Sequence, residues 1–473
     1  MPSRTQAVIF FRACAIALLL IGCVQTPQEH TNTVPVISPS FSLSGTAETD
    51  EFWWTEFDDP QLNLLVSNAL SSNFSLQSSL ARVQRAAATA DVREAGRYPT
   101  VNGVAGSNVR RERQSIGGEI TQETTDNLRL NASWELDLWG KNQAKASAAY
   151  FSFLASEEQL QAAAQTLAGD IARRWYQLLE QHQSMEILKK QISNTKIIAE
   201  ITGHRYRTGQ GSISALWRQE QLLESLKAQE KQARKNVLIL ERQMNVLLGR
   251  SPTAIIDWSY SAFPALPPLP ETGLPATLLD RRPDVRALWY QYESSQQNVS
   301  AAAAARLPNI SISSAAASSD WTNAFDIWRL DLGAQLNIPV FNAGKLKAEQ
   351  KEAEASSYLA FNNYTQGVLS AIEEVEVNVL SELSQQEQLD SLRRQTRQAE
   401  NILEVESIRY SRGMQGYLDV LNAQEKLFTL QKQSLSAQRQ LFLRRIATYQ
   451  SLGGQLISLS KDGAIELQPR MES

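Results

Sequence analysis

The 473-residue sequence predicts a mainly α-helical protein with a membrane β-barrel part, built from long coiled-coil hairpins and four transmembrane strands per chain. Three observations carry that expectation. Leu128, Leu130, Ala132, Trp134, Leu136 and Leu138 alternate with Arg129, Asn131, Ser133, Glu135 and Asp137, the period of two that gives a strand one apolar and one polar face. Elsewhere the apolar residues recur three or four apart, as in Phe361, Tyr364, Val368, Ile372, Val375, Val379 and Leu383, or Ile171, Trp175 and Leu178, the narrow stripe of a coiled coil. Short motifs also recur in the same order in both halves of the chain, which points to internal duplication.

The elements follow in order. Arg4 and Arg12 precede the apolar run Ala13 to Ile21, which reads as a secretory signal over residues 1–22, too short to span a bilayer. Leu20-Ile21-Gly22-Cys23 resembles a bacterial lipobox, which implies cleavage before Cys23 and its acylation, with palmitate among the attached lipids. The alternative is a cysteine that merely ends an ordinary signal. Cys14 lies inside the signal, so no internal disulfide is expected in the mature chain. Lipoproteins retained at the inner membrane commonly carry aspartate after the cysteine, whereas Val24 permits export to the outer membrane. No further run of about 18 apolar residues exists, so any membrane role rests on lipid or on strands.

Residues 23–59 read as a lipidated, polar segment, extended to about Ser44, and helix is expected from near Pro60 to Arg97. A strand pair near 98–141 follows, with Val101 to Arg113 as the weaker strand. Helix then resumes, breaks at Thr208-Gly209-Gln210-Gly211 and stops at Gly249 with Pro252 beyond, closing a first repeat over 60–250. The Pro-rich stretch Phe263 to Pro275 marks a linker over 251–277. The second repeat, 278–452, has helix from Leu278 to Arg306, a strand pair near 307–341, and helix from Gly344 to Leu452 broken at Gly413 and Gly416; 453–473 is a tail. Arg97-Tyr98-Pro99 recurs as Arg306-Leu307-Pro308, and ELDLWGK recurs in gapped form as NIPVFNAGK. Arg205, Tyr206 and Gly209 match Arg409, Tyr410 and Gly413 at one shift of 204 residues (409 minus 205).

Chemistry-bearing patterns are few. A formal net charge of -4 gives no basic excess to neutralise phosphates, which argues against a nucleic-acid partner. His30, His182 and His204 lack metal-ligand spacing, and there is no Ser-His-Asp arrangement or phosphate-cradling glycine loop, so neither an enzyme nor a cofactor is expected. Helices of this length form either a solvated rod or the wall of a water-filled tube. Apolar strand faces flanked by Trp139, Trp321, Trp328 and Phe341 fit lipid with an aromatic girdle, and the opposite face, with Arg129, Glu135 and Asp137, fits a wet lumen. Four strands are too few to close a membrane barrel, so several copies are expected to close one together.

The motifs LLDRRPDVR (Leu278 to Arg286), SWELDLWGK, LNIPVFNAGK and RYSRGMQGYLDVLNAQ (Arg409 to Gln424) jointly resemble the outer-membrane factors, the TolC-like exit ducts of tripartite efflux pumps, in their lipoprotein subfamily. The resemblance spans nearly the whole mature chain. It implies a homotrimer with a 12-stranded barrel and an α-helical periplasmic tunnel, lipid-anchored at the outer membrane, serving a periplasmic adaptor and an inner-membrane transporter. It also implies a periplasmic gate at the second hairpin tip, with Leu418 as an apolar constriction and Asn422 where relatives often carry aspartate. Asp419 is its charged neighbour. Arg409 and Tyr410 resemble residues that latch neighbouring coils; a helix-end arginine offsetting the carbonyl dipole is the other reading of Arg409. Gly209, Gly413 and Gly416 are expected in the tip turns. A protein-secretion duct, or a lipid-anchored coiled-coil adaptor without a pore, are the alternative functions.

Overall fold

The computed structural model describes residues 37–47, 51–113, 116–117, 119–256, 260, 262–318, 328–459 and 465–467. The signal, Cys14, Cys23, His30 and Trp321 lie outside the described residues. Chain contacts within Ile37–Ser473 define one unit.

A 3-10 turn, Trp53–Phe57, opens the described helical structure. Asp59 then starts α1 (Pro60–Ser72), its carboxylate accepting the free N–H groups of Gln61 and Leu62. The helix expected to run unbroken to Arg97 is split at Asn73, whose side chain accepts from Ser75 and Leu76 N–H and so starts α2 (Phe74–Ala95). The same asparagine donates to Leu247 O at 2.8 Å, which ties this kink to the end of the first hairpin.

Strands β1 (Thr100–Arg113) and β2 (Ile120–Leu136) lead into α3 (Lys141–Arg207) and α4 (Ile213–Leu247). After the linker come α5 (Pro275–Arg281), α6 (Pro283–Ala304), β3 (Asn309–Ser318), β4 (Arg329–Asn337), α7 (Lys345–Ser411) and α8 (Tyr417–Leu452). The helix expected from Leu278 is broken at Arg282, because Pro283 disfavours helical backbone before it. Arg282 is buried there and forks between Asp284 and Glu374, both at 2.6 Å. Burial opposes ionisation of Asp284, but the guanidinium prevails and holds its carboxyl below the usual range. The motif LLDRRPDVR is therefore a joint between two helices.

The halves match element by element. Helices α3 and α7 are each 67 residues long, and α2 and α6 are each 22. The starts of α3 and α7 differ by 204 (345 minus 141), as do those of α4 and α8 (417 minus 213).

The main core lies where α1, α3 and α8 meet. Trp53, Phe57, Trp175, Tyr176 and Phe442 are almost fully buried, Trp53 stacks on Tyr449 at 5.8 Å, and Phe57 stacks on Phe442 at 5.7 Å. Trp175 places its indole N–H on Asp59 at 2.7 Å, so one carboxylate serves both helix cap and core. Phe57→Ala would cost about 3–5 kcal/mol. Of the coiled-coil stripe on α7, Phe361, Val368, Val375 and Val379 are buried; Leu383 departs from it and is 40% exposed. Part of the expected tail also packs inward: Leu456 and Ile457 are buried, and strands Ile457–Leu459 (β5) and Ile465–Leu467 (β6) pair antiparallel.

Candidate functional site: the strand sheet and the hairpin tips

The strands form one antiparallel sheet in the order β1-β2-β3-β4, with β1 and β4 at its edges. Register decides which side chains share a face. Gly103, Leu130, Ala316 and Leu330 stand in one row across the four strands, and Val101, Ala132, Ser314 and Leu332 in another. The intervening row, Asn102, Asn131, Ala315 and Asp331, belongs to the opposite face. Across these rows one side is mostly small and apolar and the other mostly polar, whereas further out along β1 and β2 Ser107, Asp126, Arg111 and Gln122 stand on the same side as Leu130. Leu130, Leu332 and Leu336 are all more than half exposed, so among the described residues nothing covers them.

The sheet's lower end is fastened by aromatics. Trp134 donates to Arg97 O at 2.9 Å and Trp139 to Pro308 O at 2.6 Å, each reaching the segment that leads into a neighbouring strand; Trp328 and Phe341 are exposed. Glu135 pairs with Lys141 at 2.5 Å. Asp137 departs from the lumen face expected of it. The strand ends at Leu136, and the Asp137 carboxylate caps α3 by accepting Asn142 N–H at 3.0 Å and Gln143 N–H at 2.7 Å.

At the far ends of the long helices, the two tips turn by the same device. Gly209 and Gly413 have φ of +75° and +77°, where a Cβ would be strained. Each is followed by a paired cap: Gly209 N–H to Tyr206 O and Gln210 N–H to Arg205 O, against Gly413 N–H to Tyr410 O and Met414 N–H to Arg409 O. Gly416 sits in the second tip but has ordinary extended backbone, φ -75° and ψ 157°, open to any residue. From there α8 presents Leu418, Asp419 and Asn422 to solvent, while Val420, Ala423 and Leu427 turn inward onto Ile198, Leu403 and Tyr410.

The two hairpins are joined near the tips by buried polar contacts. Tyr410 is buried, its hydroxyl bonds Thr202 Oγ1 at 3.3 Å, and the Arg205 guanidinium lies 4.6 Å over its ring while donating to Tyr410 O. Tyr417 donates to Gln219 Oε1 at 3.0 Å, and Gln219 reaches Gln424 at 3.4 Å. Burial, then the nearby Tyr410, pushes the Tyr417 phenol up to about 12, so it stays a donor. Arg409 takes no part in this set. Its side chain is 54% exposed and lies 3.6 Å from Glu406 one turn back. Thr202 and Gln219 belong to none of the sequence motifs, whereas Arg205 lies in the repeated Arg-Tyr pair, and Tyr417 and Gln424 lie in the second-tip motif without an expected bonding role. The match of Arg205-Tyr206 to Arg409-Tyr410 was the available signal for Arg205.

An open sheet with one lipid-compatible face, set on paired helical hairpins about 100 Å long, defines the class of outer-membrane efflux ducts. The sequence profile of the family described as Outer membrane efflux protein matches residues 65–250 and 274–454, and the chain belongs to that family. It is similar to the pyoverdine export outer membrane protein OpmQ of Pseudomonas aeruginosa, with 28% identity over 92% of this chain and 95% of that one. It is also similar to the probable outer membrane lipoprotein SilC of Salmonella typhimurium, with 26% identity over 92% and 96% of the two chains. Among solved structures, the outer-membrane channel OprN superposes with a TM-score of 0.82 at 26% identity, covering 91% of this chain and 99% of that one. The CmeC channel of Campylobacter jejuni, with a TM-score of 0.83 at 21% identity over 94% and 96%, shares the fold. The protein is thus an outer-membrane efflux channel, and its relatives are transport proteins rather than enzymes.

Proposed function

We propose that three copies of this chain form the passive exit duct of a tripartite efflux pump. One observation carries the reading: a four-stranded sheet with two open edges and an uncovered, mostly apolar face. Open edges are not tolerated in lipid, and four strands cannot close. Three sheets joined edge to edge give twelve strands, with the row of Leu130 and Leu330 toward lipid and that of Asn131 and Asp331 toward the lumen. The helices continue this wall as a periplasmic tunnel. Repeats over 60–250 and 278–452, joined by the 251–277 linker, are the units of that ring.

In this reading Leu418, Asp419 and Asn422 from three chains converge as the periplasmic gate, and the turns at Gly209, Gly413 and Gly416 set its tips. Cys23 carries the lipid anchor after removal of residues 1–22, a reading supported by the likeness to SilC, a probable lipoprotein. A periplasmic adaptor and an inner-membrane transporter complete the pump and supply energy. The relative OpmQ is named for pyoverdine export and CusC of Escherichia coli for cation efflux, which supports export of small solutes as the cargo class. Purified protein is expected to have the mass of a trimer and to conduct in a planar bilayer. A monomer that conducts, or a trimer that does not, overturns the proposal.

A further inference from the structure

We propose that a basic trough between α2, α3 and α6, just below the strand sheet, binds soluble anions that carry phosphate or carboxylate groups as they pass along the duct. Their passage rests on the trimer reading, whereas the binding chemistry rests on the single chain. The trough has a volume of about 570 Å³. Arg85 and Arg93 of α2, Lys145 of α3 and Asn298 of α6 line it, and among the described residues no carboxylate does.

The three cations are exposed, and among the described residues none of their side chains has an ion-pair or hydrogen-bond partner. Arg97, one turn beyond Arg93, contrasts with them, since Glu94 neutralises it at 2.6 Å. The hydroxyls of the trough are already committed. Ser152 and Ser294 donate to Ala148 O at 2.9 Å and 2.8 Å, which fastens α3 to α6, and Thr89 donates to Arg85 O at 2.8 Å. The free donors are therefore the three charged groups and the Asn298 amide. Small side chains, Ala148 and Ala149, make the floor and leave room above it. Guanidinium and ammonium groups facing such a hollow match phosphate or carboxylate oxygens through charge-assisted hydrogen bonds. A hollow lined by one sign of charge also concentrates counter-ions.

Helix direction sets the spacing. α2 ends toward the sheet at Ala95 and α3 leaves it from Lys141, so Arg93 and Lys145 stand at one level, within about 6 Å of those helix ends. Arg85, eight residues before Arg93, lies about 12 Å further from the sheet. The trough thus suits a ligand with more than one anionic group, one between Arg93 and Lys145 and another reaching Arg85. α3 packs between α2 and α6. Three adjacent staves of a closed wall are hollow toward its axis, so in the trimer the trough opens on the lumen. The core covers a different side of α3. Steps of seven from Ala146 lead to Phe153 and Leu160, which pack in the core, whereas steps of seven from Lys145 lead to Ser152 and Gln159, which face solvent.

The test titrates inorganic tripolyphosphate by calorimetry into full-length protein in neutral detergent. The wild type is expected to bind it, and Arg85→Gln with Arg93→Gln and Lys145→Gln is expected to weaken binding about tenfold or more. Removing the same charge from α4, by Lys231→Gln with Arg234→Gln and Lys235→Gln, should leave binding unchanged. Both triple variants should melt with the wild type, because the three cations of the trough support no other group. Equal binding by the two variants, or none by the wild type, overturns the site. In a planar bilayer the same probe should reduce single-channel current through the wild type and not through the trough variant; equal reduction in both, or none in the wild type, overturns its place on the lumen. Anionic phospholipid retained by the wild type and lost from the trough variant in native mass spectrometry, without tripolyphosphate binding, overturns the soluble ligand in favour of a lipid headgroup. A monomeric or non-conducting protein that still binds the probe through these three residues overturns the duct reading and supports the site.

Discussion

Arg445 on α8 holds Glu382 of α7 in a buried pair, Nη2 to Oε1 at 2.5 Å, with both side chains under 5% exposed. The guanidinium also donates to Pro267 O at 2.5 Å and Pro268 O at 2.8 Å, and Thr448 donates to the second Glu382 oxygen at 2.9 Å. The Pro-rich linker is thereby clamped across the second hairpin. Removing one partner of such a pair leaves a buried charge without compensation, at a cost of about 3–5 kcal/mol. Arg445→Met is expected to lower the unfolding temperature and expose the linker to proteolysis. Arg445→Met with Glu382→Leu should recover much of the unfolding temperature but not the protection of the linker. Equal melting of the single and double variants would count against a charge-based clamp.

The sheet register separates the two faces by one residue. Leu130→Arg places a cation on the apolar side, where charge at the bilayer midplane costs about 2–4 kcal/mol; Asn131→Arg places it among polar groups. Assembly yield in outer-membrane fractions should drop for the first and hold for the second. Equal yields would reverse or erase the assignment of faces.

The exposed side of α8 near the tip makes the gate testable. In the proposed trimer, Leu418→Arg with Asn422→Arg would bring like charges from three chains into one lumen, and repulsion should part the tips of the proposed gate. Single-channel conductance is expected to rise. Arginines at Leu216 and Glu220, on the first hairpin, should change it less. Unaltered conductance in a correctly assembled Leu418/Asn422 variant would remove the gate from this tip.

Glu158 on α3 offers a pH signature outside the membrane strands. Burial raises its carboxyl above the usual value; Arg286 at 2.7 Å works against that, and neighbouring Glu157 adds to it. A raised folded-state value means the group's contribution is present below the unfolded value and lost as pH rises through the folded one. Glu158→Gln should therefore gain in relative stability from pH 4 to pH 7. Melting curves of both proteins across that window check the sign, and a constant difference would show that Glu158 does not titrate there.

Much of this fold was legible because its signals are long. Three-four spacing in Ile171 to Leu178 and Phe361 to Leu383 marks α3 and α7, each 67 residues long, and alternation marks β2 and β4. The misses were local contests. Asn73 and Pro283 each end one helix and begin another within a residue or two, so neither leaves a gap in the apolar pattern. Asp137 continues the alternation of β2 by type while its carboxylate satisfies the start of α3. At the tips, duplication itself concealed the answer: Arg205-Tyr206 and Arg409-Tyr410 are the same dipeptide. Only packing reveals that Arg205 and Tyr410 turn toward each other while Tyr206 and Arg409 turn away.

The equal lengths of α3 and α7 have a consequence for how such a chain can change. Each helix is a ruler of roughly 100 Å, at about 1.5 Å per residue, that fixes how far its tip stands from the strand sheet. Two rulers of one length keep both tips level. Shortening one alone by a turn would leave a stepped rim about 5 Å out of true and rotate its apolar stripe away from its neighbours. A duct of different reach therefore requires matched edits in both ascending and both descending helices, a four-fold coincidence that holds the gauge of the machine constant while its surface residues drift.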